Sequence, residues 1–272
     1  MVFSFPNIFN KTGQSQFLTN SRGASLGQKL QIVVLERPID TWSDPFTTLI
    51  FSKLVEMKLA GYAAHHPYGS LAVDKTDFFG DHILVGDVSS GDFVPITGWR
   101  SVTLDACKLF KNEFSAIAAA RKSAPHVEYV EHLLASNPGK NIRYCSAYTI
   151  NPNIRDRNIL VQIKPLLAAM GYWFYKTDRT DISLLVGNVT AKVDRMFESL
   201  GYQPLEWNGE VLPSFPIAFY DMEVRMFKLG EPTDLAIESA TQYHELWERR
   251  IVQKRKDVIR PARSVQGHAA NL

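Results

Sequence analysis

Cysteine is scarce in this sequence. Only Cys107 and Cys145 occur among 272 residues, and both stand inside apolar stretches rather than in the closely spaced pairs that zinc sites use. This excludes a disulfide-stabilised secreted scaffold and a cysteine-based zinc module. We therefore expect a cytoplasmic protein in a reducing environment, with no metal site.

Long apolar runs are also missing. A membrane-spanning helix needs about 18 or more nearly uninterrupted apolar residues, and no stretch of this sequence reaches that length. The first residues, MVFSFPNIFNKTGQSQ, lack the basic start and apolar run that an export signal requires. The sequence thus predicts no integral membrane segment.

Charge of one sign is lacking too. The formal net charge is +2, so no overall field favours nucleic acid or an anionic membrane as the partner. The exception is the segment from Arg249 onward, which is basic and ends in small and polar residues. We interpret it as an exposed helix face that continues into a solvated tail, and we expect no nucleic-acid partner.

The composition that remains is that of a globular protein, because 45% of the residues are hydrophobic and 21% are charged. We divide the chain into a polar N-terminal arm (1–28), a main domain (29–230) with a helical insertion (105–138), a C-terminal helix (231–258) and a basic tail (259–272).

Periodicity predicts the order of helices and strands. In the first half, the predicted elements are a strand at 30–36, a helix at 45–60, an antiparallel hairpin at 82–87 and 95–104, and helices within 105–138. In the second half, they are a strand at 142–150, a helix at 157–170, a strand at 181–187, a helix at 190–200, a long strand at 216–227 and a long helix at 233–258. The strand–helix–strand unit beginning at 142 implies parallel pairing across a helical crossover.

The loop between residues 151 and 158 leads from a strand into a helix. Such a turn offers free backbone N–H groups and the positive end of a helix dipole, which together favour an anion. Arg155 and Arg157 add positive charge there, so the loop predicts a phosphate site. An ordinary structural turn remains the alternative.

A longer stretch carries a family resemblance. YTINPNIRDRNILVQIKPLLAAMG and DISLLVGNVTAKVDRMFESLGYQPLE resemble the core of the GNAT superfamily of N-acyltransferases, over about 60 residues in total. The resemblance implies a mixed α/β (α+β) fold, with a mostly antiparallel central sheet flanked by helices. It also implies that the thioester donor is held at the entrance of the helix, by Ile150, Arg155, Arg157, Asn158, Ile159 and Leu160.

The sequence departs from the common superfamily pattern at three positions. Asn158 and Leu160 replace glycines that let the backbone approach a pyrophosphate, and Phe197 replaces a tyrosine that often acts as the acid. Acyl-homoserine-lactone synthases and long-chain N-acyl amino acid synthases relax the same glycines. The chain resembles that branch in its helical insertion and in Gly98-Trp99-Arg100. This resemblance implies an acyl carrier protein as partner and no tightly bound cofactor, with the donor an acyl thioester of the carrier's phosphopantetheine or of coenzyme A.

Candidate catalytic residues lie on the predicted central strand and on the hairpin. Period-two alternation places Tyr144, Ser146 and Tyr148 on one face of their strand, and His82 has the ordinary pKa of a base. Candidate residues for binding the acceptor substrate are Arg100, Trp99 and Glu223. For each of these side chains, a purely structural role remains the alternative.

These features predict an N-acyltransferase that moves a fatty acyl group to the amine of an amino acid or another small metabolite. Two alternatives stay open: an N-acetyltransferase that uses acetyl-CoA, and a GNAT-like binding or regulatory protein without catalysis.

Overall fold

A computed structural model describes residues 29–63, 73–218 and 222–254. One mixed sheet dominates the described residues, with the strand order β11-β1-β2-β3-β4-β5-β10-β6 and with β9 paired to β10. Its strands are β1 (Leu30–Leu35), β2 (Asp81–Asp87), β3 (Val94–Thr103), β4 (Ile142–Ile150), β5 (Ile182–Asn188), β6 (Tyr202–Pro204), β9 (Phe215–Pro216), β10 (Glu223–Leu229) and β11 (Ile251–Gln253). A separate small hairpin consists of β7 (Glu206–Trp207) and β8 (Glu210–Val211).

The helices pack on both faces of this sheet. They are α1 (Pro45–Ala63), α2 (Lys75–Phe79), α3 (Leu104–Leu109), α4 (Ser115–Ala120), α5 (Ala124–Ser136), α6 (Arg157–Thr177), α7 (Val193–Glu198), α8 (Asp234–Gln242) and α9 (His244–Glu248), with a 3₁₀ turn at Pro38–Thr41. None of the helices in the described ranges is both long and apolar enough to cross a membrane.

The strand pairing confirms the predicted fold class. The β4–α6–β5 unit is a parallel pair joined by a helical crossover, and β11 pairs in parallel with β1. The pairs that involve β2, β3, β6, β9 and β10 are antiparallel. The result is a mostly antiparallel mixed sheet with a helical insertion before its central strand β4.

Alternation along the strands produces two core layers. On the face that packs against α6, here called the α6 face, Trp99, Cys145 and Leu185 belong to one hydrophobic cluster with Leu166 and Met170 of the helix. On the opposite face, here called the insertion face, the side chains pack against α1 or against the short helices α3, α4 and α5. Each face of the central strands is therefore covered, as a buried sheet requires.

Three element predictions were wrong in their extent. The helix at 233–258 is instead α8 and α9, followed by strand β11, because the chain leaves helical geometry at Tyr243 and residues Ile251–Gln253 pair with β1 at the edge of the sheet. The strand at 216–227 is divided into β9 and β10. The helix at 190–200 is only the six-residue α7, because Lys192 adopts a left-handed conformation just before it. The N-terminal arm 1–28 and the basic tail 259–272 lie outside the described residues.

Candidate active site

Strand β4 contains a β-bulge. Gly98 of β3 lies opposite Thr149, and Arg100 lies opposite Ser146, so that Ala147 and Tyr148 together face Trp99 alone. Ala147 has a φ of 55°, a left-handed conformation that is unusual for a residue other than glycine. A bulge of this kind bends the strand and redirects the side chains that follow it.

The two parallel strands separate next to this bulge. Pairing between β4 and β5 covers only residues 142–145 and 182–185, although β4 continues to Ile150 and β5 to Asn188. Past Cys145 and Leu185, the backbone edges that face each other are not joined by strand pairing. An extended ligand with amide groups can therefore enter this gap and bond to the strand edges.

The gap opens into a cavity of about 520 Å³ on the α6 face, here called the cleft cavity. Its wall at the bulge contains Ser146, Ala147, Tyr148, Val186 and Phe197. From there it runs between the sheet and the C-terminal half of α6. Its other end is lined by residues at the end of α6, at the start of β5 and in the β10–α8 turn: Tyr172, Lys176, Thr180, Asp181, Gly230, Glu231 and Pro232.

Four polar side chains interrupt the apolar wall of the cleft cavity. The Tyr202 hydroxyl donates a hydrogen bond of 2.8 Å to the Tyr175 hydroxyl, which lies 2.9 Å from Cys145 Sγ. The Ser183 hydroxyl lies 3.9 Å from the same sulfur. Burial raises the pKa of Cys145, Tyr175 and Tyr202, so these groups are neutral near pH 7. They can donate or accept hydrogen bonds, but they supply no charged nucleophile.

A buried group of charged side chains lies on the insertion face around Arg100 of β3, the residue opposite Ser146 of β4. Asp77 accepts hydrogen bonds from Lys58 Nζ at 2.9 Å and pairs with Arg100 Nη1 at 3.0 Å. Arg100 also bonds to Asp74 at 2.9 Å and to Ser146 Oγ at 3.3 Å. This chain of contacts connects a buried carboxylate to a side chain at the gap.

The pKa values in this group reflect competition between burial and charge. Burial alone would raise the pKa of Asp77, but Arg100 and Lys58 outweigh it and lower that pKa to about 2. Burial lowers the pKa of Lys58, and Asp77 opposes this shift only in part. Burial disfavours charge on Arg100 as well, yet Asp77 and Asp74 raise its pKa. Asp77 and Arg100 therefore form a buried ion pair at neutral pH.

His82 belongs to the same group. Its Nε2 lies 2.7 Å from the carbonyl oxygen of Asp77, which requires the N–H tautomer at that nitrogen. Burial lowers the pKa of His82 to about 4, despite the opposing charge of Asp77. The ring is thus neutral but is a weaker base than an ordinary histidine, and its role as catalytic base stays a prediction.

The expectation that Tyr144, Ser146 and Tyr148 share one face was wrong. Tyr144 packs in the core under the helical insertion. Tyr148 instead packs on the α6 face, where its ring lies edge-on to the Phe197 ring with 6.3 Å between the ring centroids. The extra residue of the bulge shifts the alternation by one position. Ser146 and Tyr148 line the cleft cavity, and Tyr144 does not.

The helix entrance differs from the expected phosphate site. The backbone N–H groups of Asn158, Ile159 and Leu160 all donate to Asp156, the first to its carboxylate at 2.8 Å and the other two to its carbonyl oxygen. The free N–H donors that the loop predicted there are therefore occupied, and a carboxylate already caps the helix. Ile159 is buried in the core. What remains at this entrance is a set of exposed side chains.

The other predicted residues are spread around the site. Trp99 lines the cleft cavity opposite the bulge, and its indole N–H has no hydrogen-bond partner among the described residues. Exposed Arg155 donates to the carbonyl of Pro152 at 2.7 Å. Glu223 accepts a hydrogen bond from Ser214 at the start of β10, two strands from β4. The roles of these three residues stay predictions.

Sequence reasoning missed the acidic partners of Arg100. Asp74 and Asp77 form a capping box around the first turn of α2. The Asp74 carboxylate accepts a hydrogen bond from the backbone N–H of Asp77, and the Asp77 carboxylate accepts one from the backbone N–H of Asp74. An Asp-x-x-Asp spacing before two phenylalanines could have indicated that cap. Lys58 could have been noticed as a charge within the apolar pattern of α1. In the described ranges, no group of three or more histidine, cysteine or acidic side chains is placed to hold a metal ion.

No protein-family model matches the chain, and no curated protein matches it either. Solved structures that resemble it include the AHL synthase LasI (14% identity, 83% of this chain and 98% of that one, TM-score 0.45). Another is the CoA-dependent acyl-homoserine lactone synthase MesI (9% identity, 79% and 95% covered, TM-score 0.46). A third is FeeM, an N-acyl amino acid synthase from uncultured soil microbes (9% identity, 74% and 89% covered, TM-score 0.42).

Proposed function

We propose that the chain is an N-acyltransferase that takes an acyl group from a thioester held between β4 and β5 and transfers it to the amine of a small molecule. One observation carries this proposal. The strands separate beside a β-bulge, and the gap leads directly into a cavity large enough for an acyl chain.

The gap suits the arm of a thioester donor. A pantetheine arm is an extended chain with two amide groups, and it can add to exposed strand edges much as another strand would. An acyl group at the end of that arm would meet the bulge and continue into the cleft cavity. The cavity volume of about 520 Å³ lies within the range of sites for medium-sized ligands. This favours a fatty acyl group over acetyl.

The reaction joins the amine nitrogen to the thioester carbonyl carbon and breaks the carbon–sulfur bond. The amine loses a proton, and the leaving sulfur gains one, so the step needs no further reactant. A backbone N–H at the bulge would hold the carbonyl oxygen as it becomes negative. Because Ser146 Oγ accepts a hydrogen bond from Arg100, its own proton is available to the leaving sulfur.

The acceptor amine would approach from the insertion face. Asp74 belongs to the buried group around Arg100, but its side chain is 55% exposed. It is therefore a carboxylate that an incoming ammonium group can reach next to Ser146. Proximity and orientation supply much of the rate in such transfers, about 7–11 kcal/mol in favourable cases, so a weak or water-mediated base suffices.

The entrance of α6 favours a carrier protein as the source of the thioester. Arg155, Arg157 and Lys164 are exposed there, beside Leu160 and Val161, which are 43% and 59% exposed. A basic surface with exposed apolar side chains suits docking of an acidic protein. The positive charges are on side chains, and Asp156 occupies only backbone N–H groups. The side chains therefore remain available to a carrier protein.

The function is tested with purified protein, acyl thioesters of a carrier protein and of coenzyme A, and a panel of amino acids and other amines, with amide products detected by mass spectrometry. The Ser146→Ala variant should lower kcat by about a hundredfold with little change in KM. Ser136→Ala, on the exposed side of α5, is the matched control and should leave kcat unchanged.

A docking test separates the two donors. The double variant Arg155→Ala/Arg157→Ala should raise KM for the carrier-bound donor, and high salt should produce the same change in the wild-type chain. The control is Arg121→Ala. It removes an exposed arginine at the end of α4 that pairs with Glu113. An equal effect on both donors would assign the arginines to the phosphate of the arm instead of the carrier surface.

A catalytically inactive binding protein is the second candidate. It is favoured by Asp156, whose carboxylate occupies the helix entrance, and by Phe197, which cannot donate a proton. Tight binding of a fatty acyl ligand without turnover of any thioester–amine pair would establish this alternative.

A further inference from the structure

Helix α6 lines the cleft cavity with one continuous stripe of side chains. The stripe consists of Leu167, Ala168, Gly171, Tyr172, Tyr175 and Lys176, which recur at the spacing of neighbouring turns on one helix face. From residue 167 to residue 176 it extends about 14 Å, at roughly 1.5 Å per residue. Gly171 lies at its middle.

Glycine is an unfavourable choice at this position. In a helix interior it destabilises by about 1 kcal/mol relative to alanine, and Gly171 is well inside a 21-residue helix. Packing does not require it. A Cβ atom built there would contact only Tyr175 Cε2, at an ordinary 3.8 Å.

Another helical glycine shows what a packing requirement looks like. In α1, a Cβ atom on Gly61 would approach Thr149 Cγ2 to 2.8 Å, closer than real Cβ contacts. Gly61 is therefore small because its neighbour is near. The space beside Gly171 is instead the cleft cavity, and a larger side chain there would project into it.

The far end of the cleft cavity reaches the protein surface. Lys176, Asp181, Glu231 and Pro232 line that end and are exposed. Along β5, the distance from this end to the bulge is about 17 Å for residues 181–186 at roughly 3.3 Å per residue. This agrees with the length of the stripe on α6.

We propose that Gly171 determines the acyl chain length that the protein accepts, by leaving the middle of the cleft cavity open so that a long chain passes toward the far end. The proposal rests on the function proposed above and defines its donor class as long-chain acyl thioesters. Because the far end is open, the cavity has no wall that would stop the chain at a fixed length. Substitution at position 171 supplies such a wall.

The test compares wild type, Gly171→Ala and Gly171→Leu on acyl thioesters from butanoyl to hexadecanoyl with one acceptor amine. Wild type should use the long chains best, and Gly171→Ala should keep that preference. Gly171→Leu should reduce kcat/KM for hexadecanoyl relative to butanoyl by more than about tenfold, since even one methylene in an apolar pocket changes discrimination by that order. Circular dichroism and thermal unfolding confirm that each variant is folded.

Binding gives a second readout that does not depend on turnover. Displacement of a fluorescent fatty acid by butanoic and hexadecanoic acids should show weaker hexadecanoate binding in Gly171→Leu and unchanged binding in Glu131→Leu, which places the same side chain on the exposed side of α5. An unchanged chain-length profile in folded, active Gly171→Leu would overturn the inference and leave the proposed function intact. Absence of turnover in wild type, with chain-length-dependent binding retained, would reject the function and support the role of Gly171.

Discussion

Arg100 lies directly opposite Ser146 in the β3–β4 pair and donates a hydrogen bond to its hydroxyl over 3.3 Å. The same guanidinium pairs with buried Asp77 on the insertion face. The Arg100 side chain therefore stabilises the buried ion pair on the insertion face and also positions Ser146 at the gap. We expect changes in this arginine to affect both folding and catalysis.

Arg100→Met should destabilise the protein by about 3 kcal/mol, because it leaves the carboxylate of Asp77 buried with Lys58 as its remaining cation. Urea unfolding followed by circular dichroism measures this change. Arg121→Met is the control. It breaks an exposed pair with Glu113 and should cost less than about 1 kcal/mol. Equal losses in the two variants would contradict the buried ion pair.

The bulge makes a separate prediction at Ala147. Its φ of 55° disfavours any side chain by about 1–2 kcal/mol, and most strongly a β-branched one. Ala147→Gly should therefore be neutral or stabilising by up to about 1 kcal/mol, whereas Ala147→Val should destabilise by more than that. Thermal unfolding with Ala118→Gly as control checks the sign. This control lies in helix α4, where the same change should cost about 1 kcal/mol.

Local sequence patterns predicted the central unit well. Apolar β-branched runs and helical periodicity located β4, α6 and β5, because each is determined mainly by its own residues. The bulge was not predictable in this way. Alanine carries no preference for a positive φ, so simple alternation put Tyr148 on the face of Tyr144, and the structure puts it on the other.

Long-range pairing explains the remaining errors. Strand β11 forms against β1, more than 200 residues earlier, and no local pattern indicates such a partner. The C-terminal segment therefore resembled one long helix. At the entrance of α6, the two arginines suggested an anion site, but Asp156 between them is a preferred helix cap, and the cap occupies the donors.

The pH dependence of stability should reflect His82. Its folded pKa of about 4 lies below the ordinary value of 6.5, so the unfolded chain binds a proton that the folded chain does not. This contribution is fully present above pH 6.5, and up to about 3 kcal/mol of it is lost as pH falls toward 4. Burial also lowers the pKa of His126 to about 4, so this residue changes stability with pH in the same direction.

An NMR titration of the His82 ring is the decisive measurement. Its carbon shifts should stay constant from pH 8 to about pH 5, with urea unfolding showing lower stability at pH 5 than at pH 7. Burial raises the pKa values of Glu36 and Asp81, so these two carboxyl groups make the protein more stable as the pH falls. A curve of stability against pH therefore combines opposing effects, and the NMR titration isolates that of His82. A ring that titrates near 6.5 would contradict the buried, neutral histidine.

The two helical glycines should respond in opposite ways to the same substitution. Gly171→Ala adds a methyl group to open space and improves helix propensity, so it should stabilise by about 1 kcal/mol. Gly61→Ala gains the same propensity but forces its methyl against Thr149 at 2.8 Å. Overpacking of this kind typically costs about 1–3 kcal/mol, so the net effect should be neutral to destabilising. Matched thermal unfolding of the two variants tests both the contact and the cavity, because a destabilising Gly171→Ala would mean that the space beside α6 is filled.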